Sequence, residues 1–322
     1  MSIVTETSLP IVDLAASNFE TALIDAIESI GFVALTGHGI DVVEISTLRS
    51  ALVDLFAVTE AEKHRGAITP DNYRGFIPLG FFTPNRAASG QTSDLYEGYK
   101  LHWECPPDHP VKAACRLYGP NRWPDQVEHL RPAVEVYWAS CEDLGVRLLD
   151  VFSVALGLDP HHLRAAHEAP LTNMTLLHYP PADPEDPATG IHPHKDTNTI
   201  TLLHPGPVDG LEVRSLDGTW ISGSVPGNAL VLNVGEMLEL WSGGRFRATP
   251  HRVVNRTTLD RYSFPWFMAP RHDVVVQPLV ESTEGFTREP MPVGDLSAEV
   301  WRTNWANASP RSSTHDLGTL DR

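Results

Sequence analysis

The sequence predicts an α+β chain with a mainly β core, a sandwich or barrel, preceded by a helical layer. Three observations predict it. Apolar residues recur at helical spacing up to about residue 156. After Pro170 the period shortens to that of a strand. The short apolar and β-branched runs that follow are separated by Gly, Pro and Asp turns. With 322 residues and 42% hydrophobic content, the chain can build one large core or two smaller ones.

Leu9–Leu14 (LPIVDL) reads as a short edge strand. Ser17 and Glu20 form a capping-box pattern before a helical stripe of Leu23, Ala26, Ile27 and Ile30, which Gly31 ends. Phe32–Leu35 is a strand closed by Thr36-Gly37-His38-Gly39. A second helix runs from about Val42 to Phe56 with Ile45, Leu48, Leu52 and Leu55 on one face, and Thr59 with Glu62 marks a short third. Pro70 to Pro110 is turn-rich and aromatic, interleaved with Arg74, Arg86 and Lys100. It reads either as a pocket mouth or as an irregular packed layer.

The longest helical signal spans about Arg131–Leu156, through Val136, Tyr137, Ser140, Leu144, Leu148, Val151 and Ala155, and is a scaffold helix closed by Gly157. A short helix near His161–His167 follows. Strands are expected near Thr172–Tyr179, Thr199–Leu203, Leu211–Arg214, Trp220–Ile221, Ala229–Val234, His251–Asn255, Tyr262–Met268 and Asp273–Gln277. Pro180–Pro187 is a loop on composition, and Asp295–Trp305 one more helix. The expected organisation is an N-terminal region over 1–110, scaffold and core over 111–305, and a frayed polar tail over 306–322.

The formal net charge of −17 argues against nucleic acid or an anionic membrane as partner, since both need positive patches. Cys105, Cys115 and Cys141 are odd in number and lack C-x-x-C spacing, so they read as reduced thiols of a cytoplasmic protein. MSIVTETSLP is not a signal peptide by pattern, and no apolar run reaches the ~18 residues of a membrane span.

The chemistry concentrates in Gly190–Leu203, GIHPHKDTNTITLL. In an extended strand His194 and Asp196 point the same way, and His251 in TPHRVVN is a third ligand candidate. Two His and a carboxylate with open positions form the facial triad of non-haem Fe(II) oxygenases. Arg261 follows His251 by ten residues, with Ser263 two further on, and an Arg-x-Ser can clamp a carboxylate through charge-assisted bonds. His192 rivals His194, since His192-x-His194 repeats the same spacing. Asp196 has a plainer alternative as a turn cap with Thr197 and Asn198.

Several blocks carry a resemblance: LPIVDL, GFVALTGHGI, Arg74-Gly75-Phe76, EGYKLHW, LLHYPP, HKDTNTITLL, DGLEV, ALVLNVGEMLELWSGGRF, PHRVVN and RYSFPWF. In this order and spacing they resemble the isopenicillin N synthase-like family of Fe(II)/2-oxoglutarate-dependent dioxygenases, over most of the chain. The resemblance implies a distorted double-stranded β-helix, or jelly roll, with Fe(II) on His194, Asp196 and His251. It implies 2-oxoglutarate held by Arg261, Ser263 and Tyr179, and dioxygen as oxidant. Where the family often carries Asn-x-Tyr, this chain has Leu177-His178-Tyr179, so one polar contact is absent or comes from Asn173.

The implied reaction is hydroxylation of a small molecule, with desaturation, epoxidation or cyclisation as variants. Bacterial specialised metabolism on amino-acid-derived or peptide-like compounds is the setting by analogy. Phe76, Tyr96, Lys100, Trp266 and Phe267 are substrate-pocket candidates; Trp266 and Phe267 face opposite ways on a strand, so at most one of them faces the cavity. Phe81–Ser93 and the C-terminus are lid candidates. Two alternatives stand beside this reading: an iron oxidase that works without 2-oxoglutarate, and a metal-binding or sensing module without catalysis.

Overall fold

The computed structural model describes residues 4–5, 8–82, 93–185 and 188–303. Most of the Phe81–Ser93 lid candidate, and the whole 306–322 tail, lie outside the described residues. The first part of the chain supplies β1 (Val4–Thr5), β2 (Ile11–Asp13), α1 (Phe19–Ile30), β3 (Phe32–Thr36), α2 (Val42–Ala57), α3 (Glu60–Arg65), β4 (Gly75–Ile77) and β5 (Glu97–His102). Next come α4 (Val111–Ala114), α5 (Leu130–Ala155), α6 (His162–Ala165), β6 (Asn173–Tyr179), β7 (Ala188–His194) and β8 (Ile200–Leu203). The chain then forms β9 (Leu211–Arg214), β10 (Trp220–Ser222), β11 (Leu230–Val234), α7 (Glu236–Trp241) and β12 (His251–Asn255). It finishes with β13 (Arg261–Ser263), β14 (Trp266–Met268), β15 (Val275–Val276), β16 (Met291–Pro292) and α8 (Val293–Thr303). Among these helices none is long and apolar enough to cross a membrane.

Two sheets face each other as a jelly roll. The major sheet runs β2-β3-β11-β8-β14-β6-β5-β4, with β13 also paired to β6; the minor one runs β1-β10-β9-β12-β7. Strands β2 to β5 belong to the major sheet, and one apolar core includes residues on both sides of residue 110, among them Cys105 and Val111.

Register decides which side chains face inward, because paired residues point the same way and chain neighbours point opposite ways. Leu232, Leu202, Trp266, Met174 and Leu101 form one row across the major sheet. This apolar face packs on α5, so tightly that a Cβ at Gly145 would lie 3.0 Å from the Trp266 ring and the Met268 sulfur. The opposite row is Asn233, Thr201, Phe267, Asn173 and His102. Thr175 with Lys100, Leu177 with Ser263, and Tyr179 with Arg261 continue that face. It looks toward the minor sheet, where Tyr179 and Leu177 cluster with Val253 and Ile191.

Several local expectations need correction. The Ser17–Glu20 capping box does not form; Asn18 occupies the cap of α1 without a side-chain bond. Val136 projects outward from α5, while Leu130, Val134, Tyr137, Cys141, Leu144 and Leu148 are buried. The expected Tyr262–Met268 strand is two strands broken at Phe264-Pro265, since proline has no N–H to donate. The Asp273–Gln277 strand shrinks to β15, which pairs with β16 in a two-stranded sheet of the described residues. Strands β4, β5 and β7 and helix α7 were not legible; β7, ATGIHPH, carries Gly and Pro in place of an alternating apolar pattern.

Candidate active site

His251 and His194 are direct cross-strand partners on β12 and β7, which brings their rings to 4.3 Å between centroids. Phe32 of β3 packs edge-on against His251 at 5.2 Å. Asp196 reaches the pair by a different route from the one the sequence suggested. β7 ends at His194, so Asp196 lies in the following loop. The first residues of α7 pin that loop, with the Glu236 N–H donating to the Asp196 carbonyl at 2.7 Å. Gly235 permits the approach, since a Cβ there would sit 2.0 Å from the Asn198 carbonyl oxygen.

The three side chains are held in an arrangement that could hold a metal ion. His194 Nδ1 bonds the His192 carbonyl at 2.9 Å and His251 Nδ1 the Thr249 carbonyl at 3.1 Å, which leaves both Nε2 atoms turned inward as acceptors. Asp196 Oδ2 accepts from Thr201 Oγ1 at 2.6 Å and Asn233 Nδ2 at 2.8 Å. Its Oδ1 stands 3.8 Å from His194 Nε2 and 3.7 Å from His251 Nε2. Those separations are too long for hydrogen bonds. They fit ligand atoms about 2.0–2.2 Å from a shared cation, which can lie up to about 4 Å apart.

Burial opposes ionisation of Asp196, but the two imidazoles and the Thr201 and Asn233 bonds outweigh it and hold the carboxyl below its usual range. Burial and the neighbouring His251 lower the His194 imidazole. An ionised carboxylate beside neutral imidazoles is the donor set a divalent metal requires. These three residues are the one such cluster found among the described residues. Asp196 therefore does not act as a cap for Thr197 or Asn198. His192 is otherwise engaged: its Nδ1 and its backbone N–H both bond Asp94 Oδ1, at 2.6 and 2.9 Å.

Arg261 is 1% exposed, and no carboxylate pairs with it among the described residues. Its guanidinium lies 4.7 Å from the Tyr179 ring centre and donates to the carbonyls of Val208 (3.2 Å) and Pro205 (3.4 Å) and to Ser263 Oγ (3.4 Å). Gly190 makes room for Tyr179, because a Cβ there would lie 2.6 Å from its ring. Burial lowers the Arg261 guanidinium from its ordinary value, yet it stays charged at neutral pH. A buried cation satisfied only by neutral groups is suited to an anionic ligand.

The pocket candidates divide by face. Lys100 and Phe267 point inward, with Lys100 Nζ 5.2 Å from the Phe267 ring centre. Tyr96 sits against Phe82 and Tyr179, with centroids 5.9 Å away in both cases. Trp266 and Phe76 do not belong with them. Trp266 is on the α5 face, beside Trp138 and Gly145. Phe76 pairs with Tyr99, one residue out of phase with Lys100, and lies under Lys63 and His64 of α3. Reading the sequence missed Thr201 and Asn233. Their signal was present: a polar residue inside ITLL and LVLNV, runs that are otherwise apolar.

Comparison with known proteins agrees with this geometry. The model of the 2OG-Fe(II) oxygenase superfamily matches residues 170–270, and that of the non-haem dioxygenase in morphine synthesis N-terminal region matches residues 9–126. The chain is 31% identical over 275 residues to the 2-oxoglutarate-dependent dioxygenase thnC of Trichoderma harzianum, covering 81% of this chain and 84% of that one. It is 29% identical over 280 residues to the 2'-deoxymugineic-acid 2'-dioxygenase of Hordeum vulgare, covering 85% and 77%. In fold it resembles Neurospora crassa T7H, crystallised with alpha-KG and thymine, at TM-score 0.77 and 22% identity over 94% of this chain and 99% of that one. The chain belongs to the Fe(II)/2-oxoglutarate-dependent oxygenases, a family that uses Fe(II), 2-oxoglutarate and dioxygen.

Proposed function

We propose that this oxygenase hydroxylates a small organic molecule held in the roll between the His194–Asp196–His251 cluster and the Lys100–Phe267 wall. The observation that carries this is the pairing of a three-residue cluster on the minor-sheet side with a buried Arg261 on the facing major sheet that has no carboxylate partner among the described residues. His194 and His251 would hold Fe(II) through Nε2 and Asp196 through Oδ1. Arg261 and Ser263 would bind the distal carboxylate of 2-oxoglutarate, with the Tyr179 ring alongside. When bound, the iron supplies dioxygen-driven oxidation of a C–H bond, coupled to conversion of 2-oxoglutarate to succinate and CO2.

The protein's own part is positional. The backbone carbonyls of His192 and Thr249 set the imidazole tautomers, and Thr201 with Asn233 orients the Asp196 carboxylate. Leu177, Tyr179, Val253 and Ile191 form an apolar wall that limits water near the site. One relative is named for 2'-deoxymugineic acid and the solved neighbour was crystallised with thymine, which supports a small-molecule substrate; the relatives compared come from fungi and a plant and lend no support to a bacterial setting.

The test needs no knowledge of the substrate. Apo-protein is loaded anaerobically with Fe(II) and titrated with 2-oxoglutarate while the weak visible band of the chelate is followed. Oxygen is then admitted and succinate assayed. The band followed by slow succinate release is expected. An iron-loaded protein that gives neither would refute the proposal and favour the oxidase or the non-catalytic module.

A further inference from the structure

Lys100 is a second cation on the interior face, and it has no carboxylate partner among the described residues. Its Nζ donates to Asn173 Oδ1 at 2.5 Å and Thr175 Oγ1 at 2.9 Å, both neutral acceptors on β6. An ammonium has three protons, so one is left over. The contrast with Lys63, on the helical side of the same sheet, is direct: that ammonium is bonded to Glu97 at 2.9 Å and Glu60 at 3.0 Å. No carboxylate pairs with Lys100 among the described residues. Burial pushes its ammonium down to about 7, against the charge of Asp196, which favours the protonated form.

The charges within the roll can be counted. Fe(II) with Asp196 leaves one positive charge, Arg261 adds a second, and doubly negative 2-oxoglutarate cancels both, while the further buried carboxylate nearby, Asp94, is bonded to His192. Lys100 itself has no carboxylate partner among the described residues, and a half-buried charge without one is costly. Its surroundings are those of a subsite: the Phe267 face 5.2 Å away, a hydroxyl and an amide, all on the wall that continues through Thr201 to Asp196.

We propose that Lys100 anchors an anionic group, a carboxylate, of the substrate, so that this enzyme selects small organic acids over their neutral counterparts. This rests on the small-molecule oxygenase reading above. The carboxylate takes the spare Lys100 proton, and the apolar body of the acid lies along Phe267, with its reacting carbon toward the metal cluster.

The test is equilibrium dialysis of full-length protein, loaded anaerobically with Fe(II) and 2-oxoglutarate, against matched acids and primary amides. Phenylacetate, 3-phenylpropionate and cinnamate, each with its amide, are the probes. At least one acid is expected to bind about tenfold or more tightly than its amide, the range for a hydrogen bond to a charged group. Lys100→Met should bring the ratio near one, and Lys100→Arg should keep it. If Lys100→Met does not fold, Lys100→Gln, which retains a donor for Thr175, carries the same comparison. No acid preference in the wild type, or a preference that survives loss of the ammonium, overturns the proposal. So does a Lys100 variant whose main defect is in 2-oxoglutarate binding. The readout is independent of turnover. Failure of the oxygenase reading shows instead as a wild-type protein with neither chelate band nor succinate.

Discussion

Replacing Thr201 with Val removes one hydroxyl and nearly preserves shape. That hydroxyl donates to Asp196 Oδ2 at 2.6 Å and accepts from Asn198 Nδ2 at 3.0 Å. Asn198 keeps its bond to the Ile200 carbonyl at 2.7 Å, so the lasting loss falls on Asp196. Hydrogen bonds to charged groups contribute about 1.5–3 kcal/mol, and residues that orient metal ligands change metal affinity about 10–100-fold. Asn233 still holds the same oxygen at 2.8 Å, so the lower end applies: about tenfold weaker Fe(II) binding, or about 1.4 kcal/mol. Anaerobic competition with a coloured chelator measures this, with thermal unfolding of the metal-free protein alongside. Thr201→Val with Asn233→Ala should lose more than either alone but not the sum, because both donors serve one atom. Unchanged metal affinity with lowered stability would show that Thr201 only packs, and the orientation argument would fail.

His194→Ala and His251→Ala should each abolish stoichiometric iron binding by the same competition, while His192→Ala should retain it; the reverse pattern would show that the wrong histidine was chosen. Arg261→Gln should raise the half-saturating 2-oxoglutarate concentration about 10–100-fold with a smaller change in iron affinity, and a fall in iron affinity alone would place the clamp elsewhere. His178 bonds Glu97 and Asp260 at 2.7 Å each and stacks on Tyr262. Burial alone would lower its imidazole, but those two carboxylates outweigh burial and raise it, while Lys63 and His178 hold Glu97 below its usual range against burial. The raised group contributes stability fully below its unfolded value of about 6.5 and loses that contribution as pH rises through its folded value. The gap in unfolding temperature between wild type and His178→Gln should therefore be widest in mild acid, above the Glu97 titration, and narrow on the alkaline side. A gap that widens with rising pH would refute the network.

Much was legible in the chain because it is local. The change from helical to strand period, the Gly31 stop, helix α2 and strands β9 and β12 follow from patterns a few residues long. The residues of the His194–Asp196–His251 cluster and the Arg261–Ser263 pair stood out in the chain because they lie in short blocks with distinctive spacing. What tertiary structure decided is which face each strand turns inward, and this depends on pairing with distant strands. It places Phe267 and Lys100 inside the roll and sends Trp266 to α5 and Phe76 under α3. It likewise recruits Thr201 and Asn233 to Asp196 from strands five and thirty-seven residues away. Asp196 points at the histidines because the start of α7 holds its loop, not because it continues β7. The sequence by itself determined which donor groups are present; the packing of the two sheets determined which of them stand together and which charges lack a carboxylate partner among the described residues.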